Sequence, residues 1–316
     1  MKEGKDVFKV LSITLVLFSA IALLAHNIVK QEKEAVQASI QKEKIKQEKE
    51  MREKKKAIKN EYKSIEKAVL SAVGKYKDKI GIVYYNLETG TKYSLNEDKN
   101  FISASVKKLP MVMSAADDIQ DNKLSKDKLL SYNRATDYEE GTGILQGRTN
   151  LKVIKTEEAM KLSIIYSDNI AYNILKDYTS IYVYDYIEKN TGIKTNIRGN
   201  MTAEQSYLIL RKLYENKNNN PYYNKIIGWM KQTPFEERMA REIPNEEVAH
   251  KIGTNMNCVH DVGIIYAKDP YILVVMTEDT GIYEAKNRPT YENGTYADAI
   301  ISNISKNIYK VVESIN

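Results

Sequence analysis

The apolar positions of the chain change their spacing several times, and the first pattern is a continuous run near the N-terminus. Val10–Ala25 is apolar with only serine and threonine interruptions, and its extension to Val29 gives twenty residues. A helix of that length crosses the hydrocarbon core of a bilayer. We therefore predict a membrane anchor within residues 1–29. A cleaved signal peptide is the alternative, because three lysines precede the run and Ala20 and Ala22 form a small-residue pair.

A different pattern follows from residue 30 to residue 57, where Glu, Lys and Gln dominate and the few apolar positions keep no regular heptad. Glu and Lys at helical spacing support a solvated helix. We predict a charged helical stalk that forms no core. A semi-flexible spacer and a coiled coil with a second chain are both open, and the missing heptad favours the spacer.

From residue 58 the apolar positions recur every three or four residues, which predicts an amphipathic helix and the start of a domain covering 58–316. Next come "KIGIVYYNL", the turn "ETGTK" and "YSL", a β-hairpin pattern. Residues 105–240 have mainly helical patterns, strands return at 248–278, and a closing helix is expected from Tyr296 to Ser314. Strands from both ends of a domain around a helical middle predict an α/β three-layer sandwich. One antiparallel sheet would carry terminal helices on one face and a helical subdomain on the other.

Charge is distributed unevenly along the chain. The formal net charge is +6, and residues from 68 onward contain as many acidic as basic side chains. The positive charge therefore belongs to the N-terminal segments, and a neutral domain argues against nucleic-acid binding. The single cysteine, Cys258, excludes an internal disulfide.

The first candidate for chemistry is "SASVKKLP", in which Ser105 and Lys108 are three positions apart. Pro110 is tolerated only near the start of a helix, so we expect the helix to begin around Val106, with Ser105 as its cap. Lys108, one turn later, would then bring its amine to the Ser105 hydroxyl. A neutral lysine can activate a serine nucleophile. Taken alone, the pattern is better explained by a helix cap followed by a surface lysine.

Two further motifs change that balance. Ser167-Asp168-Asn169 lies between two helical patterns, and Lys251-Ile252-Gly253-Thr254 lies on a predicted strand near the end of the domain. In this order and context the three motifs resemble the Ser-x-x-Lys, Ser-Asp-Asn and Lys-Thr-Gly elements of penicillin-recognising serine enzymes, specifically class A β-lactamases. The resemblance runs from about Ile58 to the C-terminus and implies the β-lactamase-like sandwich.

The resemblance also implies roles for individual residues. The implied catalytic set is Ser105 as nucleophile, Lys108 as its general base, Ser167 as proton relay to the leaving nitrogen, and Lys251 as a positive charge beside the serines. The implied substrate-binding set is Asn169, Gly253 and Thr254, with an oxyanion hole formed by the backbone N–H groups of Ser105 and Thr254. Asp168 would brace its loop.

Two departures from that family change the expected activity. Class A enzymes hydrolyse the acyl-enzyme with a glutamate on an Ω loop, in a Glu-x-x-Leu-Asn context that this chain lacks. Glu204 is the nearest acid, and its place in a first helical turn favours a charge–dipole role. We therefore expect slow deacylation.

The second departure concerns the third motif and the strand that follows it. Ile252 replaces a hydroxyl residue, and Val262 stands where these enzymes often have an arginine. Both changes weaken recognition of a substrate carboxylate. We expect Arg238 or Arg241, from the preceding helix, as possible substitutes.

Two other groups of neighbouring residues could in principle form sites. His250 and the run from Cys258 to Asp261 match no usual zinc spacing, and that run is expected to connect two strands, so no metal or other cofactor is expected. Glu139 and Glu140 are adjacent and could form a carboxylate pair, although a loop bordering the serine cleft fits them better.

The leading hypothesis is a serine hydrolase that forms an acyl-enzyme on Ser105 and opens β-lactam amide bonds, an activity associated with antibiotic resistance. The alternatives are a penicillin-binding D-alanyl-D-alanine peptidase and a non-catalytic envelope sensor that kept the fold. The partners would be a β-lactam or cell-wall peptide and, through the N-terminal segment, the membrane. We expect a monomeric catalytic domain outside a single-pass anchor, or a secreted domain if the segment is cleaved.

Overall fold

The computed structural model describes residues 3–194, 197–280 and 296–314. The chain divides into two units, Met1–Lys59 and Asn60–Asn316, so the second unit begins two residues after the predicted domain start. The first unit is helical throughout its described part, and from residue 7 to residue 59 its side chains are exposed except for the half-buried Ile58. In the described part of the chain, one helix near the N-terminus is long and apolar enough to cross a membrane. Such a helix fits both an anchor and a signal sequence.

Nine strands are present in the described residues, and five of them form the main sheet. They are β1 (Ile80–Asn86), β2 (Lys92–Leu95), β3 (Phe101–Ile102), β4 (Leu129–Ser131), β5 (Val153–Lys155), β6 (Asn200–Met201), β7 (Val248–Asn255), β8 (Cys258–Ile265) and β9 (Tyr271–Glu278). The main sheet has the order β2-β1-β9-β8-β7, and all its neighbours are antiparallel. The short pairs β3-β6 and β4-β5 lie outside it.

The α-helices of the described residues come mainly between β3 and β7. They are α1 (Glu3–Val73), α2 (Lys108–Gln120), α3 (Arg134–Asp137), α4 (Thr156–Ile165), α5 (Asn169–Lys176), α6 (Val183–Thr191), α7 (Ala203–Glu215), α8 (Pro221–Met230) and α9 (Tyr296–Ser314). The bounds of α9 agree with the predicted closing helix. The hairpin β1-β2 also confirms its prediction.

The main sheet separates two apolar cores, because side chains alternate between its faces. On β9, Ile272, Val274 and Met276 belong to the core shared with α2 and the other helices of the middle region. Leu273 and Val275 belong to the opposite core, shared with α9 and with the part of α1 that follows residue 60. The layers are therefore helix, sheet and helix, which confirms the predicted three-layer α/β sandwich.

Helix α2 is the centre of the helical layer, and every residue from Lys108 to Ala116 is buried. A helix that is apolar on all sides has to be enclosed by others. Three residues of α2 have ionisable side chains. Lys108 is the first residue of the helix, whereas Asp117 and Asp118 are near its far end. The fold thus places the amine of Lys108 in the interior.

Two local predictions differ from the structure. Ala104–Lys107 forms a 3₁₀ turn before α2, and neither helix start has a side-chain cap, so the prediction that Ser105 caps a helix was wrong. Cys258–Asp261 lies within β8 and is not a connection. Every residue of β8 is buried, because both faces of this central strand are covered, and this removes the polar alternation that marks a half-exposed strand.

Candidate active site

Ser105 lies on the 3₁₀ turn that leads from β3 into α2. The residue before it, Ala104, has a φ of +47°, which is unfavourable for a side chain larger than hydrogen. Strained backbone of this kind persists where the surrounding structure fixes it and often marks a functional site. The Ser105 side chain is half-buried, and within the described ranges its hydroxyl has no hydrogen-bond partner.

The amine of Lys108 contacts the second motif, Ser167-Asp168-Asn169. Its Nζ donates to the backbone carbonyl of Ser167 at 2.5 Å and to Oδ1 of Asn169 at 2.6 Å, and is 3.4 Å from the Ser167 hydroxyl. Burial lowers the pKa of Lys108 from 10.5 to about 7, with a smaller effect from the neighbouring cation of Lys107. At neutral pH a substantial fraction of this amine is uncharged. No hydrogen bond joins it to Ser105, so the expected direct contact is not made in this state.

Ser167 presents two groups to the lysines because of an unusual backbone. Its φ is +50°, a left-handed value that is rare for serine. The side chain is 1% exposed, and its hydroxyl accepts a hydrogen bond from Nζ of Lys251 at 2.9 Å. The left-handed backbone of Ser167 thus directs its carbonyl toward Lys108 and its hydroxyl toward Lys251.

Lys251 is the second buried amine of the site. Nζ also donates to the carbonyl of Ile252 at 2.8 Å. Burial is the main cause of a pKa far below the usual lysine value, and repulsion from Lys108 adds to it. Across the described residues, no carboxylate hydrogen-bonds to either amine. Two adjacent cations would therefore be costly, and at least one amine is expected to be neutral.

Asp168 holds the second motif in place, as predicted. Its Oδ1 caps α5 by accepting from the N–H of Ala171 at 2.9 Å. Its Oδ2 accepts from the N–H groups of Ile144 and Leu145 at 2.7 and 2.9 Å. The carboxylate therefore joins the helix start to the Gly141–Leu145 loop, and its described hydrogen bonds are to backbone N–H groups and not to the amines.

The third motif lies directly beside the serine turn. A Cβ built on Gly253 would be 3.1 Å from the backbone nitrogen of Val106, so the close approach of β7 requires glycine. Thr254 is exposed, and its hydroxyl accepts from Nη2 of Arg238 at 2.6 Å. Gly253 thus lies against Ala104 and Val106, the two neighbours of Ser105 on the 3₁₀ turn.

Arg238 is buried and does not lie on a helix, because α8 ends at Met230. Its guanidinium donates to Asp298 at 2.7 Å and to the carbonyls of Gly253 and His260. The prediction of an arginine on the preceding helix was therefore wrong in its location. Arg241 is exposed. Of these two arginines, Arg238 is the one that contacts the third motif.

Sequence reasoning missed two residues of the site. Thr142 donates its hydroxyl to the Ser167 carbonyl at 2.7 Å, so it shares an acceptor with Lys108. The ring of Tyr172 has its centroid 5.9 Å from Nζ of Lys108 and 5.3 Å from Nζ of Lys107. Tyr172 follows Asn169 by three positions, a helical spacing that could have placed it on the same face. Nothing in the sequence marks Thr142.

The remaining candidates lie elsewhere or serve other contacts. Glu204 is in the first turn of α7 and forms an ion pair with Lys92, whose Nζ lies 2.6 Å from the carboxylate. Glu139 is exposed and accepts from Asn173. His250 and Asp261 pair with each other inside the domain. No group of side chains among the described residues is arranged to hold a metal ion.

Comparisons with known proteins identify the family and the fold. The model of the beta-lactamase enzyme family matches residues 62–312. A PBP-A mutant, in an acyl-enzyme complex with penicillin G, superposes with a TM-score of 0.67 at 17% identity, covering 79% of this chain and 96% of that one. A beta-lactamase from Chitinophaga pinensis gives 0.66 at 20% identity, covering 80% and 99%.

A third solved structure is a mutant class A beta-lactamase of the last common ancestor of Gram-negative bacteria. It gives a TM-score of 0.68 at 14% identity and covers 80% of this chain and 100% of that chain. At such identities the likeness concerns the fold. A comparison with curated proteins finds no significant match.

Proposed function

Because this chain belongs to the beta-lactamase enzyme family, we propose that it is a serine acyl-transfer enzyme that opens β-lactam amide bonds on Ser105. The observation that carries the proposal is the meeting of two buried amines on one serine hydroxyl, with no carboxylate hydrogen-bonded to either amine in the described residues. Lys108 and Lys251 both have Nζ within 3.4 Å of Oγ of Ser167, next to the strained turn of Ser105. In a structural core, buried charges are usually paired directly with an opposite charge.

The acylation step follows from the donors and acceptors of Lys108. A neutral amine has two N–H donors and one lone pair. The carbonyl of Ser167 and the amide oxygen of Asn169 take the two donors at 2.5 and 2.6 Å. The lone pair is left for the hydroxyl proton of Ser105. As that proton moves to Nζ, the serine oxygen forms a bond to the lactam carbonyl carbon.

Collapse of the tetrahedral intermediate breaks the lactam C–N bond and requires a proton on the leaving nitrogen. The Ser167 hydroxyl supplies it, and the serine regains a proton from Lys108, whose Nζ is 3.4 Å away. Lys251 holds the Ser167 oxygen at 2.9 Å and stabilises negative charge there. The N–H groups of Ser105 and Thr254 would bind the developing oxyanion, typically worth about 10²- to 10³-fold in rate per donor.

Hydrolysis of the acyl-enzyme would be slow. No carboxylate hydrogen-bonds to either amine in the described ranges, and Glu204 is held by Lys92. Water attack then lacks the carboxylate base that class A enzymes use, whereas acylation keeps Lys108 as its base. The enzyme would therefore accumulate the ester on Ser105, and slow hydrolysis would contribute only modestly to resistance.

We place the binding of a substrate carboxylate at Thr254, next to Lys251. Arg238 fixes the Thr254 hydroxyl at 2.6 Å, and the arginine itself is held by Asp298. Asn169 would bind the amide of the substrate side chain. A cell-wall peptide ending in D-alanine has the same carboxylate and amide, so D-alanyl-D-alanine peptidase activity remains the second candidate.

The proposed location of the protein is based on its N-terminal helix. We propose that it anchors the chain in the cell membrane and that the domain works outside the cytoplasm as a monomer, where β-lactams and cell-wall peptides are found. If the segment is cleaved, the same domain is secreted.

Intact-protein mass spectrometry after mixing with benzylpenicillin tests the proposal. We expect one added penicillin mass that persists for hours, with little turnover of a chromogenic cephalosporin. The Ser105→Ala variant should take no label, while Ser103→Ala should keep it, because the Ser103 hydroxyl contacts Tyr184 and not the lysines. Rapid turnover without a lasting label would contradict slow deacylation. Absence of a label from any penicillin would favour the non-catalytic envelope sensor.

A further inference from the structure

The exposed helix of the first unit carries its charge on one side. Between residues 42 and 59 six cations recur every three or four residues, the spacing that places side chains on one face of an α-helix. This set, called the basic stripe below, consists of Lys42, Lys46, Lys49, Arg52, Lys56 and Lys59. All six are exposed. One acid, Glu53, lies within the same face.

The rest of the same segment is balanced. Three cations and three acids share the remaining faces, namely Lys44, Lys54, Lys55, Glu43, Glu48 and Glu50. An ordinary solvated helix mixes both signs around its circumference, because Glu and Lys at helical spacing pair with each other. Here one face has a net charge of +5 and the others are neutral. The asymmetry points to a ligand that extends along the helix.

We propose that the basic stripe binds a linear inorganic polyphosphate, a chain of phosphate charges that would run along the helix axis. The stripe is about 25 Å long at 1.5 Å per residue, with a charge about every 5 Å. Five of the six cations are lysines, which bind phosphate as point charges and do not require a fixed bidentate geometry. A flexible chain of phosphates complements such a surface better than a folded partner does.

A membrane surface fits the stripe less well. The apolar run ends at residue 29, so the stripe begins about 20 Å farther along the helix and ends about 45 Å away. Electrostatic attraction to anionic headgroups falls off within a Debye length, about 8 Å at physiological salt. If residues 10–29 span the bilayer, the stripe is therefore out of reach of headgroups. This proposal is independent of the enzymatic one.

The test compares two triple variants of the full chain in neutral detergent, with inorganic polyphosphate as the probe. One variant replaces Lys46, Lys49 and Lys56 by Gln, and its matched control replaces Lys44, Lys54 and Lys55. Both lose three charges from one segment, and Gln keeps a helix propensity close to that of Lys. At about 0.1 M salt the stripe variant should bind at least 10-fold more weakly, while the control changes less than 3-fold.

The salt dependence gives a second readout. Because each neutralised phosphate contributes about 0.7 to the slope of log affinity against log salt on a single strand, the stripe variant should lose about 2 from that slope. Equal losses in the two variants would overturn the proposal, since net charge alone would then explain binding. Binding to vesicles with anionic lipid but not to polyphosphate would overturn it as well. Penicillin labelling should be the same in all variants.

Discussion

At the scale of single residues, the site depends on two amines buried beside one hydroxyl. Lys108 and Lys251 are 2% and 1% exposed, so desolvation dominates their titration. The acceptors that orient the two amines are neutral. Lys108 donates to the carbonyl of Ser167 and to the amide oxygen of Asn169. Lys251 donates to the hydroxyl of Ser167 and to the carbonyl of Ile252. Neutral acceptors fix the position of an amine without restoring its charge. The same contacts that orient Lys108 therefore leave it able to accept a proton.

Acylation should follow the titration of Lys108. Because burial lowers the pKa of Lys108 to about 7, the amine is protonated below that pH and cannot take the serine proton. The second-order rate of penicillin labelling should rise about tenfold per pH unit between pH 5 and pH 6, and level off above about pH 8. Stopped-flow measurements with a fluorescent penicillin would follow it. A flat profile from pH 5 to pH 8 would exclude Lys108 as the base.

Ile252 is the residue at which the third motif departs from its family, and its replacement tests substrate anchoring. Ile252→Thr adds a hydroxyl donor next to Lys251, on the strand that carries Thr254, and should raise the benzylpenicillin acylation rate about 3- to 10-fold, an effect of about 1 kcal/mol. Ile252→Val has a similar shape without the hydroxyl and serves as control. Acylation of Ile252→Thr no faster than that of Ile252→Val would contradict this account.

At the scale of elements, the site is held together by short irregular segments between regular ones. The 3₁₀ turn at Ala104–Lys107, the loop around Thr142 and the left-handed Ser167 connect to α2, α3 and α5. Helices and strands fix where these segments begin. The hydrogen bonds that Asp168 accepts and the one that Thr142 donates then fix their geometry. A change in one loop should therefore reach the amines without unfolding the sheet.

Gly143→Ala tests this coupling. Gly143 has a φ of +122°, and an added Cβ would overlap Asp168, including its Cα at 2.7 Å. The substitution should weaken the bonds of Asp168 to Ile144 and Leu145, cost about 2 kcal/mol of stability and slow acylation at least 10-fold. Thermal unfolding and labelling rates give both quantities.

Gly147→Ala is the control for that change, because nothing lies within 4 Å of the position that its Cβ would occupy. It should leave the labelling rate within about 2-fold of the unchanged protein. Equal rates for Gly143→Ala and the unchanged protein would show that the loop does not position the site.

At the scale of the whole molecule, the two units have different physical roles. The unit Asn60–Asn316 contains both apolar cores. The described residues of the first unit bury almost no side chain. Folding of the domain should therefore not require the helix that precedes it, which leaves that helix available for an anchor and for the basic stripe.

Removal of the first unit tests this division. A chain of residues 60–316 should unfold within about 3 °C of the domain transition of the full chain, because no core side chain is lost. Its benzylpenicillin acylation rate should match as well, while its affinity for polyphosphate should disappear. Calorimetry and mass spectrometry on the two proteins would measure these quantities. A domain that unfolds much earlier would show that the first unit stabilises it.

The sequence by itself determined the elements whose patterns are local and strong. Three- and four-residue spacing placed the closing helix at Tyr296–Ser314, and alternation around a turn placed the β1-β2 hairpin. Motif order was enough to select Ser105, Lys108, Ser167 and Lys251 as candidates, although their roles remain proposals. The charged stalk was likewise visible as a change in composition.

Tertiary structure alone decided what depends on contacts between distant segments. The low pKa of Lys108 arises from burial inside a complete helical layer, and the position of Arg238 depends on Asp298, sixty positions away. Thr142 joins the site because a loop folds back on Ser167. Burial and long-range hydrogen bonds are properties of the packed chain, because each needs partners that no local window of sequence contains.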